Sequence, residues 1–119
     1  MTNYWEELYT EKCEGFDIVA SICPEEIHPS ECFDTSIDPD TGEPYYDTEQ
    51  MAQDIDNGKY QWFVLRVQAF KNGVLLGSSY LGGNLYENPL DIITDGSYQD
   101  FRTEAIDEAN ETLSKLVEA

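Results

Sequence analysis

Tyr60-Gln61-Trp62-Phe63-Val64-Leu65-Arg66-Val67-Gln68-Ala69-Phe70 decides the fold. The run is long, β-branched and aromatic, as strand positions prefer. Asn72-Gly73 follows, the pair favoured in the two-residue turns of β-hairpins. Val74-Leu75-Leu76-Gly77-Ser78-Ser79-Tyr80-Leu81 then returns, and Gly82-Gly83 is expected to end it. Residues 60–83 therefore predict a β-hairpin.

Upstream, Phe16, Ile18, Ala20 and Ile22 alternate with Asp17, Val19 and Ser21, the period of a strand with one buried face. Pro24 stops it. Trp5, Leu8 and Tyr9 fall at the i, i+3, i+4 spacing of a helix face, so residues 3–13 are expected to be helical, with Gly15 ending the helix. Pro24, Pro29, Pro39 and Pro44 exclude a long helix over residues 24–47. Asp38-Pro39-Asp40-Thr41-Gly42-Glu43-Pro44 is turn-rich, with Cys32–Ile37 and Glu43–Asp47 expected to flank it as a short hairpin. Asp47 or Thr48 can cap a helix through Asn57, with Gly58 just past its end.

Downstream, Asn88-Pro89 and Asp95-Gly96 punctuate a loop. Tyr98–Val117 then predicts a long amphipathic helix. Phe101, Ala105, Ala109, Leu113 and Val117 step by four, with Ile106 and Leu116 beside them. With 119 residues and no internal repeat, residues 1–119 form a single domain of α+β class. Its expected architecture is a small antiparallel sheet with a long central hairpin, covered on one face by the C-terminal helix.

Charge is the outstanding property. Twenty-five acidic residues face six basic ones, a formal net charge of −19. Solubility needs a magnitude of only about 2 to 8, and self-repulsion at −19 opposes compaction. Hydrophobic residues at 40% and aromatics at 13% exceed what a disordered acidic tail carries, so the chain folds. Residues 60–86 contain no Asp or Glu; the acids coat the elements around the hairpin. On the C-terminal helix Asp100, Glu104, Asp107, Glu108 and Glu111 recur at three and four residues, which gathers them into one stripe. Like charges at i, i+4 cost a few tenths of a kcal/mol per pair. Asp107, Glu108 and Glu111 lie too deep for the helix dipole to favour them. The irregular segment adds Glu31, Asp34, Asp38 and Asp40 as a second set. The plain reading of one such helix is a solvated face. The excess in both regions, nearly free of Lys and Arg, points to binding instead.

Such a surface repels DNA, RNA and anionic membranes, so no direct nucleic-acid or membrane contact is expected. Duplex DNA carries one charge per about 1.7 Å of axis. Carboxylates spaced along a folded surface approximate that field. Small size, pI near 4.1, an aromatic-rich core and acid-striped helices resemble the DNA-mimic proteins that phages and mobile elements use against restriction and CRISPR systems. The resemblance is compositional, covers the whole chain and rests on no diagnostic motif. It implies an inhibitor or modulator of a basic nucleic-acid-binding protein or nuclease complex. The alternatives are an acidic adaptor without mimicry and a zinc-stabilised structural domain.

For zinc, Cys13, Cys23, His28 and Cys32 match a structural site in number and type, although the C-x9-C-x4-H-x3-C spacing lacks a paired knuckle. Burial of the cysteines as small hydrophobes, with His28 on a surface loop, is the plainer expectation. Asp38, Asp40 and Glu49 have some of the spacing of a calcium loop, but Gly42 falls one position early and a tight turn explains them. No cofactor is expected. A Gly-rich phosphate loop, a G-x-S-x-G elbow and an H-E-x-x-H pair are all missing from the sequence, and one histidine limits nucleophile–base arrangements, so no enzyme is expected. Tyr45, Tyr46, Tyr80, Tyr86 and Tyr98 are expected to be exposed and suited to a partner interface. The odd cysteine count, the lack of a signal peptide at Met1–Glu7 and the lack of a spanning run predict a cytoplasmic protein. A half-covered sheet would allow a homodimer.

Overall fold

The computed structural model of the chain describes residues 5–31, 33 and 36–118, the last two by backbone only. Four antiparallel strands lie in sequence order: β1 (Glu6–Cys13), β2 (Phe16–Pro24), β3 (Gln61–Lys71) and β4 (Val74–Tyr86). Between β2 and β3 come a short 3-10 turn, Pro29–Glu31, and helix α1 (Thr48–Asp56). After β4 come the one-turn helix α2 (Asp91–Thr94) and the long helix α3 (Ser97–Glu118). The class is α+β, with the C-terminal helix packed on one face of the sheet.

The predicted hairpin is the β3–β4 pair. Asn72 and Gly73 take φ of 51° and 78°, positive at both turn positions as a type I′ turn requires. β4 does not stop at Gly82-Gly83. It runs on to Tyr86, and the register slips between Phe63↔Asn84 and Leu65↔Leu81, so the glycines form a bulge inside the strand.

The expected helix at 3–13 is instead β1; residues 3 and 4 lie outside the described residues. Glu14 and Gly15 have φ of 53° and 85° and turn β1 back onto β2 as Asn72-Gly73 turns β3 onto β4. Register slips between Glu7 and Tyr9. The extra residue, Leu8, breaks the two-residue alternation and produces the helix-like spacing of Trp5, Leu8 and Tyr9.

Phe16, Ile18, Ala20 and Ile22 of β2 are buried beside Phe63, Leu65, Val67 and Ala69 of β3. Ile18↔Ala69, Ala20↔Val67 and Ile22↔Leu65 pair directly, so these side chains share one face. Ile92 of α2 and Tyr98, Ala105, Ile106 and Ala109 of α3 close that face. Gly77 fixes how near α3 comes: a Cβ there would stand 2.1 Å from the Ala105 carbonyl oxygen. Leu116 lies on the apolar side as expected, lining a shallow groove with Leu113, Val74 and Leu76, but it stays 63% exposed; the Val117 side chain lies outside the described residues.

The opposite face carries Trp62, whose indole donates to the Ile27 carbonyl at 2.6 Å and whose ring lies 5.9 Å from Phe33. These contacts anchor the irregular segment. The expected short hairpin there is small: among the described residues the bridge Ile37↔Pro44 closes it, flanked by backbone bonds from the Asp38 N–H to Glu43 and from the Tyr45 N–H to Ser36; Cys32, Asp34 and Thr35 lie outside the described residues. Asp47 caps α1, accepting from the Gln50 N–H at 3.0 Å. The body measures 58 × 29 × 29 Å with a radius of gyration of 17.5 Å. A compact chain of this length would have about 13.5 Å, so the molecule is elongated. None of the described helices is long and apolar enough to cross a membrane.

Candidate acidic binding surface

The apolar residues of α3 turn inward, which leaves Asp100, Glu104, Asp107, Glu108 and Glu111 on its exposed side. They are not equivalent. Ser79 Oγ donates to Glu104 Oε2 at 2.6 Å, tying Glu104 down to β4. Glu111 has Lys115 one turn away at 3.5 Å, both well exposed. Asp100, Asp107 and Glu108 have no cation within ion-pair distance among the described residues.

The second set divides further. Glu31 ends the 3-10 turn and is exposed, as is Asp40. Asp38 is partly buried, and its carboxylate accepts the Asp40 N–H at 2.9 Å while its backbone bonds Glu43 and Gly42. Asp38 thus holds a turn. Asp34 lies outside the described residues. Trp62 and Phe63 are adjacent on β3 and so point to opposite faces. The segment on Trp62 therefore lies across the sheet from α3, and the two acid sets are separate surfaces.

Other carboxylates have structural work that the sequence does not reveal. Glu11 of β1 takes Arg102 Nη1 at 3.1 Å and the Tyr98 hydroxyl, binding α3 to the sheet edge. Tyr98, expected to be exposed, is buried at 1%. Burial, and then its bond to Glu11, pushes the Tyr98 hydroxyl well above the ordinary tyrosine range. Burial disfavours the Arg102 charge, but the bond and attraction to Glu11 outweigh it and raise its pKa. Tyr86 is half-buried and bonds Asp95; desolvation and that carboxylate raise its pKa. Partial burial would raise Asp95, yet its bonds from Tyr86 and Ser97 lower it. Glu25 Oε2 accepts the Gly83 N–H of the β4 bulge at 3.1 Å. Tyr45, Tyr46 and Tyr80 are exposed as expected, at 54%, 45% and 57%.

Cys13 ends β1 opposite Phe16, whereas Cys23 lies seven positions along β2. That is about 23 Å at strand rise, so one ion cannot bind both. Cys32 lies outside the described residues. His28 turns its Nδ1 to the Ser30 hydroxyl at 2.9 Å and accepts the Ser30 N–H at 3.1 Å. Among the described residues no three His, Cys, Asp or Glu side chains gather to hold a metal.

The chain matches no protein-family model, no curated protein and no solved structure. Its chemistry is therefore read from these residues. An array of solvated carboxylates can attract and orient a cationic surface.

Proposed function

We propose that this protein binds a basic nucleic-acid-handling protein, such as a nuclease complex of a restriction or CRISPR system, and inhibits or modulates it by presenting DNA-like charge. The observation that carries the reading is the α3 stripe. Asp100 to Glu111 spans twelve residues, about 16 Å over the eleven helix rises between them. One DNA strand carries about five phosphates over that length, and the stripe carries five carboxylates. The elongated body supports the same reading, because its 58 Å length equals about 17 base-pair steps of duplex. Opposite charge would steer the encounter and speed association. The protein would act in the cytoplasm, where such targets work, and would not itself bind nucleic acid.

A second reading, an acidic adaptor without mimicry, draws on Tyr45 and Tyr46. Both are exposed, and Phe33 packs on Tyr46 at 5.1 Å, so an aromatic patch lies beside the second acid set. Immobilised protein exposed to host lysate separates the two. Mimicry predicts capture of nucleic-acid-binding proteins that added duplex DNA or high salt releases. Capture indifferent to both DNA and salt, but lost in Tyr45→Ala/Tyr46→Ala, supports the adaptor and overturns mimicry.

A further inference from the structure

Trp62 forms one wall of a cleft that the fold leaves open across the sheet from α3. The cleft holds about 230 Å³. Its second wall is α1, where Ala52, Ile55 and Asp56 fall at i, i+3 and i+4 and so share one face. Its third wall is the chain leaving β2, from Glu25 to Pro29. The main contact of α1 is with the 3-10 turn rather than with the sheet, so Ala52 and Ile55 stay half-buried and line the cleft instead of a filled core. Ile27 beside them is 45% exposed. Small-molecule pockets run from about 300 to 1,000 Å³, so this cleft is sized for a single side chain.

Its chemistry selects the occupant. Ile27, Ala52, Ile55 and Trp62 are apolar, whereas Glu25, Glu26 and Asp56 bring carboxylates. Glu25 is occupied: its Oε2 accepts the Gly83 N–H at 3.1 Å and its Oε1 the Ile27 N–H at 3.4 Å. Glu26 and Asp56 are exposed, and neither has a cation within ion-pair distance among the described residues. Lys59 is near in sequence but lies over the Tyr60 ring at 5.4 Å. His28 also lines the cleft, with its Nδ1 turned to Ser30. An apolar slot with uncompensated carboxylates matches arginine and lysine, which bury an aliphatic stem and keep the charged head at the water. A wholly apolar side chain would leave Glu26 and Asp56 unpaired, and an acidic one would be repelled.

We propose that this cleft takes one arginine or lysine side chain of a protein partner, with the stem against Trp62 and Ile55 and the head at Glu26 and Asp56. The inference rests on the partner being basic, as the proposed function has it. It gives the acids beyond β2 a task that DNA-like charge does not: they select one long side chain rather than present a field. The cleft and the α3 stripe lie on opposite sides of the sheet, so each can be altered without the other.

Magnetic resonance on the isotope-labelled full chain tests it at physiological salt, with capped Gly-Arg-Gly, Gly-Lys-Gly and Gly-norleucine-Gly as probes. The Arg and Lys peptides should shift the Trp62 indole N–H and the α1 amides saturably, while the amides of Asp107 and Glu108 move less. The norleucine peptide has a stem but no charge and should bind more weakly by about threefold or more, as loss of one or two exposed ion pairs predicts. Glu26→Gln/Asp56→Asn should bring the Arg peptide to the norleucine level. Ala52→Leu should block all three peptides by filling the cleft without a change of charge. Equal shifts at α1 and α3 overturn the proposal, as does an affinity that either variant leaves unchanged. Capture from host lysate keeps this failure distinct from that of the proposed function. A cleft that ignores the peptides, while capture stays sensitive to DNA and salt, refutes the cleft alone. Peptides bound by a chain whose capture is indifferent to DNA and salt refute mimicry and leave the cleft standing.

Discussion

Gly77→Ala should loosen α3 from the sheet by a calculable amount. The added Cβ would lie 2.1 Å from the Ala105 carbonyl oxygen and 2.7 Å from the Ala109 nitrogen, where ordinary contact is about 3.5 to 4.0 Å. Both obstacles are helix backbone and cannot rotate away, so α3 must recede by more than 1 Å. Ala105, Ile106 and Ala109, exposed by 2% or less, would then lose contact with β3 and β4. Overpacking of this kind costs about 1 to 3 kcal/mol, and a backbone clash belongs at the upper end. Replacing a strand glycine returns about 0.5 to 1 kcal/mol, which leaves a net loss of about 2 kcal/mol. At about 2.1 cal/mol/K per residue, the melting entropy of this chain is about 250 cal/mol/K, so Tm should fall by about 8 °C. Thermal melts followed by circular dichroism measure this directly. Gly82→Ala is the control, because its Cβ would meet only the Glu25 Oε2 at 3.0 Å, the movable end of a side chain. A Tm within about 2 °C of the unaltered protein for Gly77→Ala, or equal losses for both changes, would refute the close packing of α3 on β4.

Asp100→Asn/Asp107→Asn/Glu108→Gln should hold or slightly raise Tm, because it relieves like-charge pairs worth a few tenths of a kcal/mol each. The same change should reduce capture of basic partners and flatten its salt dependence; unchanged capture would remove α3 from the binding surface. Glu104→Ala should behave differently from its neighbours and cost about 1 kcal/mol, by loss of the Ser79 bond, seen as a lower urea midpoint that Asp107→Ala does not share. Tyr98 sets an alkaline limit. Its folded pKa is raised, so its contribution is complete below the ordinary tyrosine pKa of about 10 and is lost as pH climbs toward the folded value. Between those values the unfolded chain releases this proton and the folded one keeps it, which lowers stability by about 1.4 kcal/mol per pH unit. Urea unfolding at pH 9 to 11 should show a shallower alkaline decline in Tyr98→Phe; identical slopes would place Tyr98 outside the core.

Local patterns in the sequence foretold the interior of the fold. The alternation of Phe16, Ile18, Ala20 and Ile22 matches four buried positions, Asn72-Gly73 makes the turn its chemistry demands, and Asp47 caps α1. β1 escaped because an edge strand buries little, and the Leu8 bulge mimics helical spacing. The missed signal was Glu14-Gly15, which takes the same positive φ values as Asn72-Gly73. What joins distant segments was not legible. Glu11 meets Arg102 across 91 positions and Ser79 meets Glu104 across 25, and nothing in spacing or composition marks either pair. Tyr98 illustrates the cost: read as exposed, it is a core residue because Glu11 satisfies its hydroxyl.

Those long-range pairs also change what the acidic composition means. A carboxylate that caps a helix, holds a turn or anchors a strand contributes to folding, and its presence needs no binding role. Glu11, Glu25, Asp38, Asp47, Asp95 and Glu104 all accept bonds of this kind. Asp107 and Glu108 do no such work among the described contacts, and each lies three or four positions from Glu104 and Glu111, which repel it. Asp100 stands in the first turn of α3, where the helix dipole favours it. A solvated face needs only mixed charge for solubility, so it does not explain uncompensated Asp107 and Glu108 beside Glu104 and Glu111. The case for binding therefore rests on Asp107 and Glu108 far more than on the total of −19. It rests less on the second set, where Asp38 is occupied and the segment lies on the other side of the sheet. A target that recognises DNA-like charge should accordingly meet this protein through α3.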